Sequence, residues 1–187
     1  MVQDARLESR SSADTRARII AAAQCIFAEK GYAQAGMREI AASAGVATSL
    51  VTKYFKHKTK LFEEALIGAI IAPATLQSDR AHFGGSIVGT VLDQDLQIRA
   101  PMMMALSLGD AEAREIVVRV AREHILASMT AWLKPPLAEA RAVNILMMTT
   151  GFALFSRHIE LSGSAATRQE TAELFAQSLQ RIVDWNP

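Results

Sequence analysis

Apolar residues recur along this chain three and four positions apart, and nowhere do they alternate with polar ones for long enough to require a strand. That spacing commits the chain to helices. From Asp14 to Lys30, the residues Ile19, Ala22, Ala23, Ile26 and Phe27 mark one helix face. Gly31 closes that helix, with Lys30 at its negative end. Cys25 lies off the stripe and reads as a surface residue without a role. Two short helices are predicted from Met37 to Ala44 and from Thr48 to Tyr54, around Gly45-Val46-Ala47. A longer one runs from Lys58 to Ile71, stopped by Pro73. Residues 74–85, with Gly84-Gly85, read as a loop or helix break. The remainder reads as helices near 86–93, 96–107, 111–133, 137–160 and 168–185.

The single cysteine excludes a disulfide framework within the chain and any zinc site built on cysteines, and points to a reducing cytoplasm. Residues 1–13 are polar and mixed in charge, which reads as a flexible arm with no apolar stretch to serve as an export signal. The longest uncharged apolar run, Ala142 to Ser156, is fifteen residues, closed by Arg141 and Arg157. A membrane span needs about 20, so this run is expected to be a buried helix.

Charge is divided along the chain. Residues 1–66 carry ten Lys/Arg and seven Asp/Glu, a net of +3, whereas the remainder is net −2. A basic front module on a slightly acidic body suggests that the front meets an anion. Within that module, Arg38 to Phe55 has the spacing of a helix-turn-helix. Ala41 allows the second helix to approach, Gly45 supplies a permissive backbone for the turn, and Val51 is the buried contact beyond it. Thr48, Ser49, Thr52 and Lys53 remain outward, with Tyr54 at the edge. Short hydroxyls, a cation and a phenol suit a helix set in the major groove of DNA. Lys56-His57-Lys58-Thr59-Lys60 then opens the next helix, and Lys58 beside the free N–H groups of a helix start would clamp a phosphate.

These residues resemble the N-terminal domain of TetR-family transcriptional regulators. The matches are Phe27-Ala28-Glu29-Lys30-Gly31-Tyr32, then Ile40-Ala41-Ala42-Ser43-Ala44-Gly45-Val46, then Tyr54-Phe55-Lys56-His57-Lys58-Thr59-Lys60-Leu61. The resemblance spans residues 15–66. It implies DNA contacts by Arg38, Thr48, Thr52, Lys53, Tyr54 and Lys58. The chain departs from the family pattern at Gly36, Ala47, Ser49 and Thr52. Gly36 and Ala47 remove oxygens that would cap helices or meet phosphate, and Thr52 lacks a tyrosine's reach.

In the body, the helix near 137–160 is apolar on every side, with Val143, Ile145, Leu146, Met147, Met148, Phe152, Ala153, Leu154 and Phe155. It must be covered all round, as the core helix of a monomer or partly by a second subunit. The last helix adds a stripe of Leu174, Phe175, Leu179, Ile182 and Val183. The family resemblance implies that these two helices build a homodimer, which would place two reading helices about 34–36 Å apart on a two-fold symmetric operator. It also implies a small-molecule effector among the middle helices. The candidate lining residues are Phe83, Met102, Met103, Met104, Leu106, Met129, Trp132, Met148 and Phe152.

His82, His124 and His158 are scattered, so no metal site is expected, and no cofactor. No Gly-x-Ser-x-Gly turn, phosphate-binding glycine loop or dinucleotide fingerprint is present, which argues against an enzyme. Asp110, Glu112, Arg114 and Glu115 read as a solvated helix start. The expectation is therefore an all-α chain of about nine helices, with an arm (1–13), a DNA-binding head (14–66) and a ligand-binding, dimerising body (67–187). The family resemblance implies the function of a repressor released by a small apolar effector. The alternative is an all-α small-molecule-binding protein whose head has lost or altered its affinity for DNA.

Overall fold

A computed structural model describes residues 2–71, 79–159, 161 and 163–185, with side chains from Ser12 onward. Every regular element among these residues is helical, as the periodicity requires. The helices are α1 (Val2–Gln34), α2 (Met37–Ser43), α3 (Thr48–Phe55), α4 (Lys58–Ala69), α5 (Phe83–Leu92), α6 (Ala100–Leu106), α7 (Ala111–Val120), α8 (Ala127–Leu133), α9 (Ala138–His158) and α10 (Ala165–Val183). A single 3₁₀ turn precedes α5, and a π-helical stretch, Ala121–Leu126, joins α7 to α8. No described helix is long and apolar enough to cross a membrane. The chain divides into two compact units, one of Met1–Ala69 with Met102–Val118 and the other of Ile70–Pro101 with Arg119–Pro187.

In the first unit, α1 carries its apolar stripe inward, and Ile19, Ala22, Ala23, Ile26 and Phe27 are all buried. Helix α1 packs on α2 and α4, and α3 packs on the same two helices; Ile40 and Ala41 of α2, Val51 and Phe55 of α3, and Leu61, Phe62, Ala65 and Leu66 of α4 are likewise buried. Phe62 packs edge-on against Phe27 at 5.0 Å and against Tyr32 at 5.2 Å, an arrangement favoured by the ring quadrupoles. Gly31 interrupts α1 with φ 72° and ψ 174°. A Cβ built there would sit 2.6 Å from the Leu106 carbonyl oxygen, so glycine is required twice over. The N-terminal part of α1 takes in residues read from sequence as an arm.

In the second unit α5 packs most extensively on α10, and α9 packs on α5, α8 and α10. Phe83, Ile87, Ile125, Met129, Leu133, Ala142, Ile145 and Leu179 share one apolar cluster. Here the structure corrects the reading of Gly84-Gly85 as a loop, because both lie in the first turn of α5. A Cβ on Gly84 would fall 2.0 Å from the Ala176 carbonyl oxygen, so this glycine marks a close crossing of helices rather than a break. Of the rest of the expected loop, Arg80–His82 form the 3₁₀ turn and Phe83 opens α5, while residues 74–78 and Pro73 lie outside the described residues.

Other boundaries shift for local reasons. The helix expected from residue 96 begins at Ala100, because the preceding turn is held open by Arg157, which donates to the carbonyls of Val91 at 2.7 Å, Leu96 at 2.9 Å and Asp93. The last helix starts at Ala165, where the Ser164 hydroxyl accepts from the Thr167 N–H at 3.1 Å. The single helix expected over 111–133 contains the π stretch. Buried positions step by five from Val120 to Ile125, one residue more than an α-turn allows, and the wider turn absorbs it.

Candidate nucleic-acid interface

The helix-turn-helix is set by backbone first. Gly45 takes φ +65°, a left-handed conformation, between α2 and α3. Arg18 of α1 then reaches across to donate to the carbonyls of Ala44 at 2.5 Å and Gly45 at 3.2 Å. A cation on the free carbonyls at the end of α2 satisfies them and opposes the helix dipole. Sequence reasoning missed Arg18, whose only signal is a cation flanking the buried stripe of α1. Gly36 and Ala47, the N-cap residues of α2 and α3, make no side-chain capping bond, as their identity dictates.

This scaffold orients α3. Val51 and Phe55 are 0% exposed and anchor it, while Ser49, Thr52 and Lys53 are exposed and Thr48 and Tyr54 half-buried. The Thr52 hydroxyl donates back to the Thr48 carbonyl at 3.2 Å. Tyr54 Oη lies 2.8 Å from Ser12 Oγ and donates to the Ser12 carbonyl at 3.3 Å, which ties the rim of α3 to α1. Arg38 stands exposed on α2, and like Lys53 it has no ion-pair partner among the described residues. Between Met37 and Lys60 the only acid is Glu39, and it is paired with Lys30. The outward face therefore offers hydroxyls and unneutralised cations.

Between α3 and α4 the chain turns in one residue. Lys56 adopts φ 58° and ψ −58°, and the His57 N–H bonds to the Phe55 carbonyl at 2.6 Å. This is a γ-turn of the strained, positive-φ kind. It brings Lys58 to the start of α4, where its Nζ lies 4.4 Å over the Tyr32 ring and 3.4 Å from the Ala33 carbonyl. Tyr32 in turn donates to Glu112 Oε2 at 2.9 Å. Glu112, read as part of a solvated helix start, thus has a partner eighty positions away in sequence. Burial pushes the Tyr32 phenol well above its ordinary pKa, and the bond to Glu112 adds to the shift.

The candidate effector residues fall in two places. Phe83 and Met129 belong to the apolar cluster of the second unit, with Trp132, Met148 and Phe152 packed against it. Phe83 meets Trp132 at 5.0 Å, and Phe152 stacks on Phe175 at 4.1 Å. Met102, Met103, Met104 and Leu106 lie on α6 in the first unit, where Met103 is fully buried and Leu106 is exposed. The described residues hold no group of acids, histidines or cysteines that could ligate a metal.

Sequence reasoning also missed Arg141, buried in α9 and in no ion pair among the described residues. Its guanidinium donates to the carbonyls of Ile182, Lys134, Pro136 and Val183 at 2.5 to 3.2 Å. Arg80 shares the task, reaching the carbonyls of Trp132, Leu133 and Val183. Burial pulls the Arg141 pKa below its ordinary value, and the neighbouring Arg80 charge adds to this, while the Asp184 carboxylate works against it. The carbonyl dipoles at the ends of α8 and α10 compensate.

A helix-turn-helix with a basic, polar outer face, in a chain whose other unit is also helical, is the architecture of a DNA-binding regulator. The comparisons with known proteins agree. Residues 19–65 match the model for bacterial regulatory proteins of the tetR family, and residues 81–183 match that for tetracyclin repressor-like C-terminal domains. The chain belongs to the TetR family, and as a member it is a DNA-binding transcriptional regulator and not an enzyme. No curated protein matches the sequence significantly.

Solved structures share the fold. One is NalD of Pseudomonas aeruginosa, the secondary repressor of the MexAB-OprM multidrug efflux pump, with TM-score 0.65, 22% identity, and 92% of this chain and 96% of that chain covered. Another is a TetR-family transcriptional regulator from Rhodococcus sp., with TM-score 0.70, 16% identity, and 92% and 97% covered. A TetR-family regulator from Streptomyces coelicolor A3 gives TM-score 0.54 at 24% identity, with 92% and 96% covered.

Proposed function

We propose that this regulator is a homodimeric repressor that reads a two-fold symmetric operator through α3 and leaves it when a small apolar effector binds the body. The observation that carries the reading is the orientation of α3. Val51 and Phe55 are fully buried, and Ser49, Thr52 and Lys53 face outward without an unpaired acid nearby. In this reading Thr48, Thr52 and Lys53 meet base edges and backbone, and Arg38, Tyr54 and Lys58 meet phosphates. The protein works in the cytoplasm, where its operator is.

Support for the dimer comes from α9 and α10. Met147 and Phe155 are 60% and 48% exposed on α9, and Leu174 is 64% exposed on α10. Large apolar side chains left open on two neighbouring helices are what an isologous contact would cover. The effector is proposed to enter the cluster of Phe83, Met129, Trp132, Met148 and Phe152, where aromatic faces and adaptable thioethers suit an apolar molecule. Its binding and DNA binding are then linked reciprocally.

The uncapped starts of α2 and α3 favour a second reading, a ligand-binding protein whose head holds DNA weakly. Fluorescence anisotropy separates the two, with labelled duplex from the region upstream of the protein's own gene compared with random duplex at two salt concentrations. Selective binding that falls steeply with salt supports the repressor. Equal, weak binding of both duplexes at low salt supports the second reading.

A further inference from the structure

We infer that Glu112, acting through the ring of Tyr32, is a positioning residue that holds the Lys58 ammonium ready for a DNA phosphate. The inference rests on the reading above that Lys58 meets phosphate. A lysine at a helix start is ordinarily a flexible charge, and ordering it on binding costs affinity. Here the ammonium is already ordered, 4.4 Å above the Tyr32 ring and within reach of the Ala33 carbonyl. Neither contact neutralises it. A ring face and a carbonyl hold the charge in place yet leave it available to an anion, which a carboxylate partner would not.

The platform itself is fixed from three sides. Tyr32 is buried, packed edge-on against Phe62 and stacked on Phe27 at 6.2 Å, and its hydroxyl donates to Glu112 at 2.9 Å. A phenol donating to a carboxylate is a charge-assisted bond that sends electron density into the ring. The richer ring face attracts the Lys58 cation more strongly. Glu112 thereby aids anion binding although it is itself an anion, and the first turn of α7 becomes part of the DNA-binding apparatus within the N-terminal unit.

The test uses the full chain and a labelled random-sequence duplex, with affinity measured across a salt series for wild type, Tyr32→Phe, Glu112→Gln, Lys58→Ala and the two double variants that include Lys58→Ala. Tyr32→Phe keeps the ring packing and Glu112→Gln keeps an acceptor, so the two routes do not depend on one fold-sensitive change. Each is expected to weaken binding about two- to fivefold, the scale of an exposed cation–π contact. Neither should weaken it further once Lys58 is alanine. Equal losses in both backgrounds would mean a purely structural role and overturn the inference. A loss on Lys58→Ala with none for Tyr32→Phe or Glu112→Gln would overturn it while leaving the phosphate contact standing. No loss on Lys58→Ala would remove both.

Discussion

Arg141 donates a hydrogen bond to the Val183 carbonyl at 2.5 Å from a position only 6% exposed, so the α9 side chain secures the end of α10. The same guanidinium holds the Lys134 and Pro136 carbonyls that follow α8. Arg141→Met keeps the volume and loses every donor. It should destabilise the chain by about 2–4 kcal/mol, because buried acceptors left unpaired cost about 1–3 kcal/mol each and water can reach some of them. Urea unfolding monitored by circular dichroism measures this, and a change below about 0.5 kcal/mol would show that the carbonyls find other partners.

The two adjacent glycines of α5 should respond in opposite directions. Gly84→Ala drives a methyl against the Ala176 carbonyl and should cost about 2 kcal/mol or more through forced separation of α5 from α10. A Cβ on Gly85 would meet nothing within 4 Å, so Gly85→Ala should stabilise by about 0.5–1 kcal/mol from helix propensity alone. Thermal midpoints of the two variants, read side by side, check the pair.

Lys56 holds a positive φ that a lysine adopts only under strain. Lys56→Gly should relieve it and raise stability by about 1 kcal/mol, less the entropy glycine adds to the unfolded chain. A fall in the unfolding midpoint would place the strain elsewhere.

Lys53 and Lys58 are expected to differ in kind. Lys58→Ala should weaken binding to all duplexes alike and lower the salt slope by about 1, whereas Lys53→Ala should also shift base preference. Operator titrations against single-base variants of the site distinguish them, and unchanged titrations for both would show that α3 does not face DNA.

Much of the head was legible because its determinants are local. The stripe from Ile19 to Phe27, the turn at Gly45 and the anchor Val51 each follow from spacings within one or two helical turns, and all fall where expected. What escaped depends on contacts between residues far apart in sequence. Gly84 reads as a breaker until Ala176 is seen beside it, and Arg141 reads as the charged edge of an apolar run until α10 ends against it. The π stretch is visible only as a five-residue step between buried positions, a signal that periodicity templates of three and four discard. Glu112 looked solvated for the same reason, since its partner Tyr32 lies in another helix.

Arg18, Arg80, Arg141 and Arg157 each fasten a helix end to backbone oxygen rather than to an acid. Each such joint sets a cation against a backbone dipole, with no paired opposite charge for ions in solution to screen. Added salt should therefore loosen the Arg16–Glu64 and Lys30–Glu39 pairs before it disturbs those joints, so the helical frame endures where the surface pairs give way.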